Sequence, residues 1–197
     1  MSARDAILAD IRRNLPAGDF PLPEVPLFEP LVGDDLVAEF GERLKRMGGR
    51  VVAPGPGDVF AGVRERLDGA KVIASAVPEL TGNRDLRSVR YPQEVEDVDV
   101  AVVRAVFGIA ETGSVLFTQD QLIVNAVAYL AQHLIVLLDP SDILPNVQAA
   151  YRRSEFGRSA YAVLHTGPSA TADIEGVLIH GAQGVRSLTV VMLPRMA

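Results

Sequence analysis

Two short segments concentrate the side chains able to do chemistry. In Ala110-Glu111-Thr112-Gly113-Ser114 a carboxylate, two hydroxyls and a glycine sit between apolar stretches. Glu111 has the makings of a general acid, a base or an orienting acceptor, and Gly113 would let the backbone turn or approach a ligand closely. The plainer alternative, that Glu111 satisfies neighbouring amides or an arginine and Gly113 makes a hairpin turn, is favoured by these five residues alone. The second segment, Thr166-Gly167-Pro168-Ser169-Ala170-Thr171-Ala172-Asp173-Ile174-Glu175, follows an apolar strand and is predicted to enter a helix. Backbone amides at a helix start, beside the Ser169 and Thr171 hydroxyls, suit a phosphate or carboxylate. Asp173 and Glu175 would already complement the helix dipole and oppose a second anion, so a capped turn without a ligand is an equal alternative. Downstream, Gly181-Ala182-Gln183-Gly184-Val185-Arg186 offers glycines to frame the same pocket. Its arginine can grip a carboxylate in bidentate fashion or pair with a surface acid.

His133, His165 and His180 do not fall at the spacing of a local metal site, and none is expected. His165, next to the Gly-Pro-Ser turn, is the histidine nearest a site, whereas His133 reads as the start of a strand. There is no Walker A sequence, no GxGxxG after a strand and no GxSxG elbow, which leaves ATP, dinucleotide and serine-hydrolase chemistry without support. Across 197 residues, 19 Lys and Arg face 25 Asp and Glu for a net charge of −6. An acidic chain with no basic block is poorly suited to nucleic acid or to an anionic membrane. The absence of cysteine removes disulfides, thiol nucleophiles and thiolate-held iron–sulfur clusters from this chain.

These side chains must be positioned by a core, and 48% hydrophobic against 22% charged residues is enough to build one. We expect one globular domain over 34–197, preceded by an N-terminal helix and proline-rich arm over 1–33. Ser2 caps a helix with Ile7, Leu8, Ile11 and Leu15 on one stripe, ended by Pro16. Five prolines between 16 and 30 then forbid helix or central strand, leaving an extended arm whose apolar residues need a surface on this chain or a partner. Asp34 or Asp35 caps a second helix running to Gly48-Gly49. Strands are predicted at 50–53, 70–75, 98–106, 114–118, 134–138, 160–165 and 188–193, and helices from Asp58, over 122–130, from Pro145 and over 173–180. A long loop is expected over 76–97. Alternation of this kind implies a mostly parallel sheet covered by helices on both faces, with ligands beyond the carboxyl ends of its strands. No secretory signal precedes the domain, so a cytoplasmic protein is expected. The apolar run from Leu122 to Leu138, interrupted by Asn125, Gln132 and His133, is too short and too polar to span a bilayer.

The AETGS segment, followed some fifty residues later by Gly167 through Glu175 and then Arg186-Ser187-Leu188-Thr189-Val190-Val191, resembles the lactate-utilisation protein C family, the small members of the LUD-domain group. The GPSxTADIE run is its most specific element. The resemblance extends from about residue 34 to the C-terminus, with a similar N-terminal helix and arm. It implies an α/β fold of the glucosamine-6-phosphate deaminase, ribose-5-phosphate isomerase and coenzyme A transferase kind. It also implies a part in oxidising L-lactate to pyruvate beside two iron–sulfur partner proteins, with no cofactor on this chain. In that picture Glu111 is the catalytic candidate, and Thr112, Gly113, Gly167, Ser169, Thr171, Asp173, Gln183 and Arg186 surround a small carboxylate. The arm is a natural contact to a partner or a second copy. Three departures stand out: Thr166 where the family has serine, Gln183-Gly184-Val185 where it has His-Gly-Pro, and Leu130 where it has proline. Glutamine can hydrogen-bond a ligand but cannot shuttle a proton near neutral pH. Two other functions are kept open: a free-standing coenzyme A transferase or folate cyclo-ligase using Glu111, and a scaffold with a degenerate pocket.

Overall fold

The computed structural model describes residues 2–26, 35–171, 179–181 and 183–195. Its first helix, α1 (Ala3–Asn14), starts as the sequence requires: the Ser2 hydroxyl accepts the Asp5 amide while the Ser2 amide donates to the Asp5 carboxylate. That pairing holds the exposed Asp5 carboxyl below its ordinary range. None of its residues is buried, and Ile7, Ile11, Leu15, Phe20 and Leu22 all lie open, so the helix and the arm as far as residue 26 cover no part of the core. Residues 27–34 lie outside the described part of the arm.

Asp35, the second of the two predicted caps, accepts the Ala38 amide and opens α2 (Leu36–Arg46), which buries Phe40 and Leu44. The chain continues through β1 (Arg50–Val52), α3 (Arg64–Asp68), β2 (Ile73–Ser75) and β3 (Val100–Arg104). Next come β4 (Gly108–Ile109), β5 (Ser114–Thr118), α4 (Gln119–Leu122) and α5 (Val127–Leu130), followed by β6 (His133–Leu138) and β7 (Ile143–Leu144). The chain ends with α6 (Val147–Tyr151), α7 (Glu155–Arg158), β8 (Ala162–His165), β9 (Ala170–Thr171), β10 (Ile179–His180) and β11 (Ser187–Met192).

The main sheet is parallel throughout, in the order β1-β11-β6-β3-β2. Alternation along β6 shows how it is covered. Ile135 and Leu137 pack with Phe60, Val63 and Leu67 on one face, and Leu134, Val136 and Leu138 pack with Phe40, Leu44, Val115 and Phe117 on the other. The α/β class with a mostly parallel sheet is therefore observed. A second sheet, β7-β4-β5-β8, with β5 antiparallel to both neighbours, forms a further layer whose outer face is closed by Ala150 and Phe156 around Phe107, Ile109 and Leu116.

Four local expectations change. The segment after Asp58 begins as a 3₁₀ turn over Ala61–Val63 before α3, because the Asp58 carboxylate engages the Phe60 amide and Arg64. The single helix over 122–130 is two, broken at Ile123 (φ 61°, ψ −52°), where the Val124 amide donates to the Leu122 carbonyl in a tight γ-turn. On one straight helix, Leu122 and Val127 would point about 140° apart; the break lets both enter the core. A β-branched residue at positive φ is strained, so Ile123→Gly is expected to raise stability by about 1 kcal/mol in denaturant titration. Pro145 precedes the cap of α6 instead of opening it: Asn146 accepts the Ala149 amide, making Val147 the first helical residue. Lastly, Ile179–His180 is a strand paired antiparallel with Ala170–Thr171, not the end of a helix; residues 172–178 lie outside the described part. The loop over 76–97 contains two short 3₁₀ turns, Leu86–Ser88 and Pro92–Val95.

At the carboxyl ends of β3 and β6, Arg104 pairs with Glu79 and donates to the Leu193 carbonyl (3.2 Å), and the Arg195 amide donates to Asp139 (2.7 Å). The Arg104 and Glu79 side chains are only 18% and 11% exposed. Removing one partner strands the other charge, so Arg104→Ala is expected to lower unfolding free energy by about 3 kcal/mol. No helix among the described residues is long and apolar enough to cross a membrane.

Candidate functional site

The antiparallel register of β5 and β8 sets Val115 opposite His165, which brings the two motif segments side by side. The Thr112 hydroxyl donates to Ser114 Oγ (2.7 Å), and Ser114 Oγ bonds in turn to Thr166 Oγ1. Above this hydroxyl chain lies the last turn of α2. Gly113 (φ +68°) is so close that an added Cβ would stand 2.7 Å from Leu44 Cα. At Gly167 (φ +70°) it would stand 3.0 Å from Met47 C and nearer still to the Met47 carbonyl oxygen. The close approach these glycines permit is thus to a helix of the same chain. Glu111 Oε2 accepts the Val147 amide at the start of α6 (3.0 Å), and the Glu111 amide donates to the Pro145 carbonyl (3.1 Å).

Beyond the hydroxyl chain, by the amino ends of β6 and β11, a cavity of about 490 Å³ opens between the end of β8, residues 128–130 and the Gln183–Val185 loop. Thr166, Gly167, Ser169 and Gln183 line it, and its two loops are tied together where the Ser169 amide donates to the Val185 carbonyl (2.8 Å). Glu111, Thr112, Gly113 and Thr171 are not in its lining, and Thr171 lies in the β9–β10 ribbon. Asp173 and Glu175 fall outside the described residues. Arg186, immediately before β11, lines a different cavity.

His165 supplies the distinctive chemistry. Its ring lies between Phe117 (centroids 5.4 Å apart) and Tyr129 (5.0 Å), and Nε2 is buried with no hydrogen-bond partner among the described residues. Burial pushes its pKa down to about 4, so the ring is neutral at pH 7. Tyr129 at the rim shares its hydroxyl with Tyr161, and burial together with that contact raises the Tyr161 pKa. A neutral imidazole with an unpartnered nitrogen, the Thr166 and Ser169 hydroxyls and the Gln183 amide give the cavity an uncharged lining with hydrogen-bonding groups for a small ligand. The sequence placed His165 beside the site but offered no reason to choose it over Glu111. Tyr129, which also lines the cavity, gave no signal in the sequence. Among the described residues, no cluster of three or more acidic or histidine side chains forms a metal site.

Residues 65–193 match the model of the LUD domain. No functionally curated protein matches the chain. Among solved structures it is similar to a DUF162-family protein from Deinococcus radiodurans, at 17% identity and a TM-score of 0.59. That match covers 83% of this chain and 99% of the other, and at this identity it speaks for the fold.

Proposed function

Because the chain belongs to the LUD-domain family, we propose that it is the non-iron–sulfur subunit of a complex that oxidises L-lactate to pyruvate, binding the small carboxylate in the His165 cavity. The observation that carries this reading is the buried, unpartnered Nε2 of His165 among Thr166, Ser169 and Gln183. A buried polar atom without a partner is costly, and a ligand hydroxyl or carboxylate would relieve that cost. Oxidation of lactate releases two electrons and two protons. With no cysteine here, thiolate-held clusters for those electrons would belong to partner proteins. The exposed apolar stripe of Ile7, Ile11, Leu15, Phe20 and Leu22 would be a contact to such a partner or a second copy.

The alternative, acyl transfer or cyclo-ligation through Glu111, would need that carboxylate free and facing a substrate. One of its oxygens instead holds the start of α6. The decisive experiment recovers the purified chain with its iron–sulfur partners and follows L-lactate-dependent dye reduction. Co-recovery with an activity lowered by Ser169→Ala supports the proposal. Recovery of the bare chain, or an activity lost in Glu111→Gln and intact in Ser169→Ala, overturns it.

A further inference from the structure

The amino edge of the main sheet carries a second and larger cavity, of about 750 Å³, that the lactate reading does not use. Arg50 opens β1, His133 opens β6 and Arg186 immediately precedes β11, so the parallel register brings all three to one edge, where Arg66 from α3 joins them. Arg66 Nη1 lies 2.7 Å from His133 Nε2, and His133 Nδ1 lies 2.8 Å from Ser187 Oγ. Arginine has only donors, so Nε2 must accept; the ring proton is then on Nδ1 and is given to Ser187. Ser187 is therefore an acceptor in this chain of bonds and not a nucleophile primed by histidine. The arrangement holds a guanidinium in place with a neutral group. Arg50 is treated alike: its Nε donates to Thr189 Oγ1 (3.0 Å).

Some arginines elsewhere in the fold, Arg84 and Arg104 among them, are held by carboxylates that cancel their charge. Arg50, Arg66 and Arg186 have no carboxylate within ion-pair distance among the described residues, and Arg186 makes no side-chain hydrogen bond there. Burial, followed by the nearby Arg66 and Arg186, holds His133 below its ordinary pKa against a smaller opposing pull from Asp99, which keeps the anchor neutral. The same cavity is also lined by carboxylates. Of these, Asp97 is paired with Arg84 and Asp99 accepts the Lys71 and Val72 amides, while Glu65 and Glu96 have no ion-pair partner among the described residues.

We propose that this cavity is a binding site for a small anion: an oxyanion head, phosphate or carboxylate, enters among Arg50, Arg66 and Arg186, and a body carrying hydroxyl or amino donors faces Glu65 and Glu96. Guanidiniums fixed by neutral acceptors keep their remaining N–H groups and full charge for such a head. The test titrates the full chain with inorganic phosphate and, separately, malonate, against chloride at equal ionic strength, following calorimetric binding and the melting temperature. A saturable response is expected to at least one probe. Affinity should fall at least about tenfold in Arg186→Ala, whose guanidinium bonds to nothing among the described residues, and in Arg66→Gln, and stay unchanged in Arg152→Ala, which removes an equal charge from another surface. A response to phosphate alone identifies a phosphoryl head, and one to malonate alone a carboxylate. No saturable response to either probe, or an Arg186→Ala variant that binds as well as wild type, overturns the site.

Discussion

Replacing Gly113 with alanine is expected to lower unfolding free energy by at least about 3 kcal/mol, a large fraction of the roughly 5–15 kcal/mol that keeps a domain folded. Two costs add. A residue with a Cβ at φ +68° is penalised by about 1 kcal/mol or more relative to glycine. The new methyl would also press into the backbone at Leu44 and Arg43, which cannot swing aside as a side chain would. Gly167→Ala meets the Met47 carbonyl in the same way and should cost a similar amount. Both glycines rest on one helical turn, so the double variant should cost less than the sum, since displacing α2 once relieves both clashes. Chemical denaturation of the two single variants and the double measures this directly. Wild-type stability in either single variant would show that α2 does not dock there as described. Loss of activity in these variants would be a loss of fold, whatever the ligand.

Substituting His165 should change the acid response of the protein by about 2 kcal/mol between pH 7.5 and pH 5. The sign follows from the direction of the shift. The folded-state pKa of about 4 lies below the ordinary 6.5, so the unfolded chain takes up the proton first. Above pH 6.5 both states are neutral and the residue gives no pH dependence. Between 6.5 and 4 protonation favours the unfolded chain, and stability drains away as the pH falls. In His165→Phe that drain is absent. Any constant packing cost of the larger ring cancels when the two pH values are compared, so urea titrations of both proteins at both pH values isolate the effect. Equal pH slopes would mean that the imidazole is not buried as described. Under the proposed function, the same variant should also lose L-lactate binding, because it removes the buried, unpartnered ring nitrogen of a residue that lines the cavity.

Much of the architecture was legible because it depends on local chemistry. Ser2 and Asp35 cap helices wherever they stand before an amphipathic run, the prolines of the arm exclude regular structure, and His133–Leu138 is apolar on both faces because it is central in a parallel sheet. The break at Ile123 was not legible: no glycine or proline marks it, and the core's demand for both Leu122 and Val127 enforces it. The β9–β10 ribbon was missed for a related reason. Two-residue strands carry too little pattern to compete with a helical reading at Ile179 and His180.

The candidate site divides along the same line. The sequence by itself determined that two motif segments with their glycines and hydroxyls belong together, that the chain lacks the thiols to hold clusters, and that it has the family pattern of the LUD domain. Only the tertiary structure decided what each residue does. Glu111 became a helix-start acceptor, Gly113 and Gly167 a seat for α2, and Arg186 part of a separate edge cavity, while His165 emerged as the buried, unpartnered group beside the cavity. The reason is physical. A residue type and its spacing fix which bonds it can make, but which neighbour competes for them is set by chain segments tens of residues away, and burial, which moves a histidine's pKa, exists only after those segments have packed.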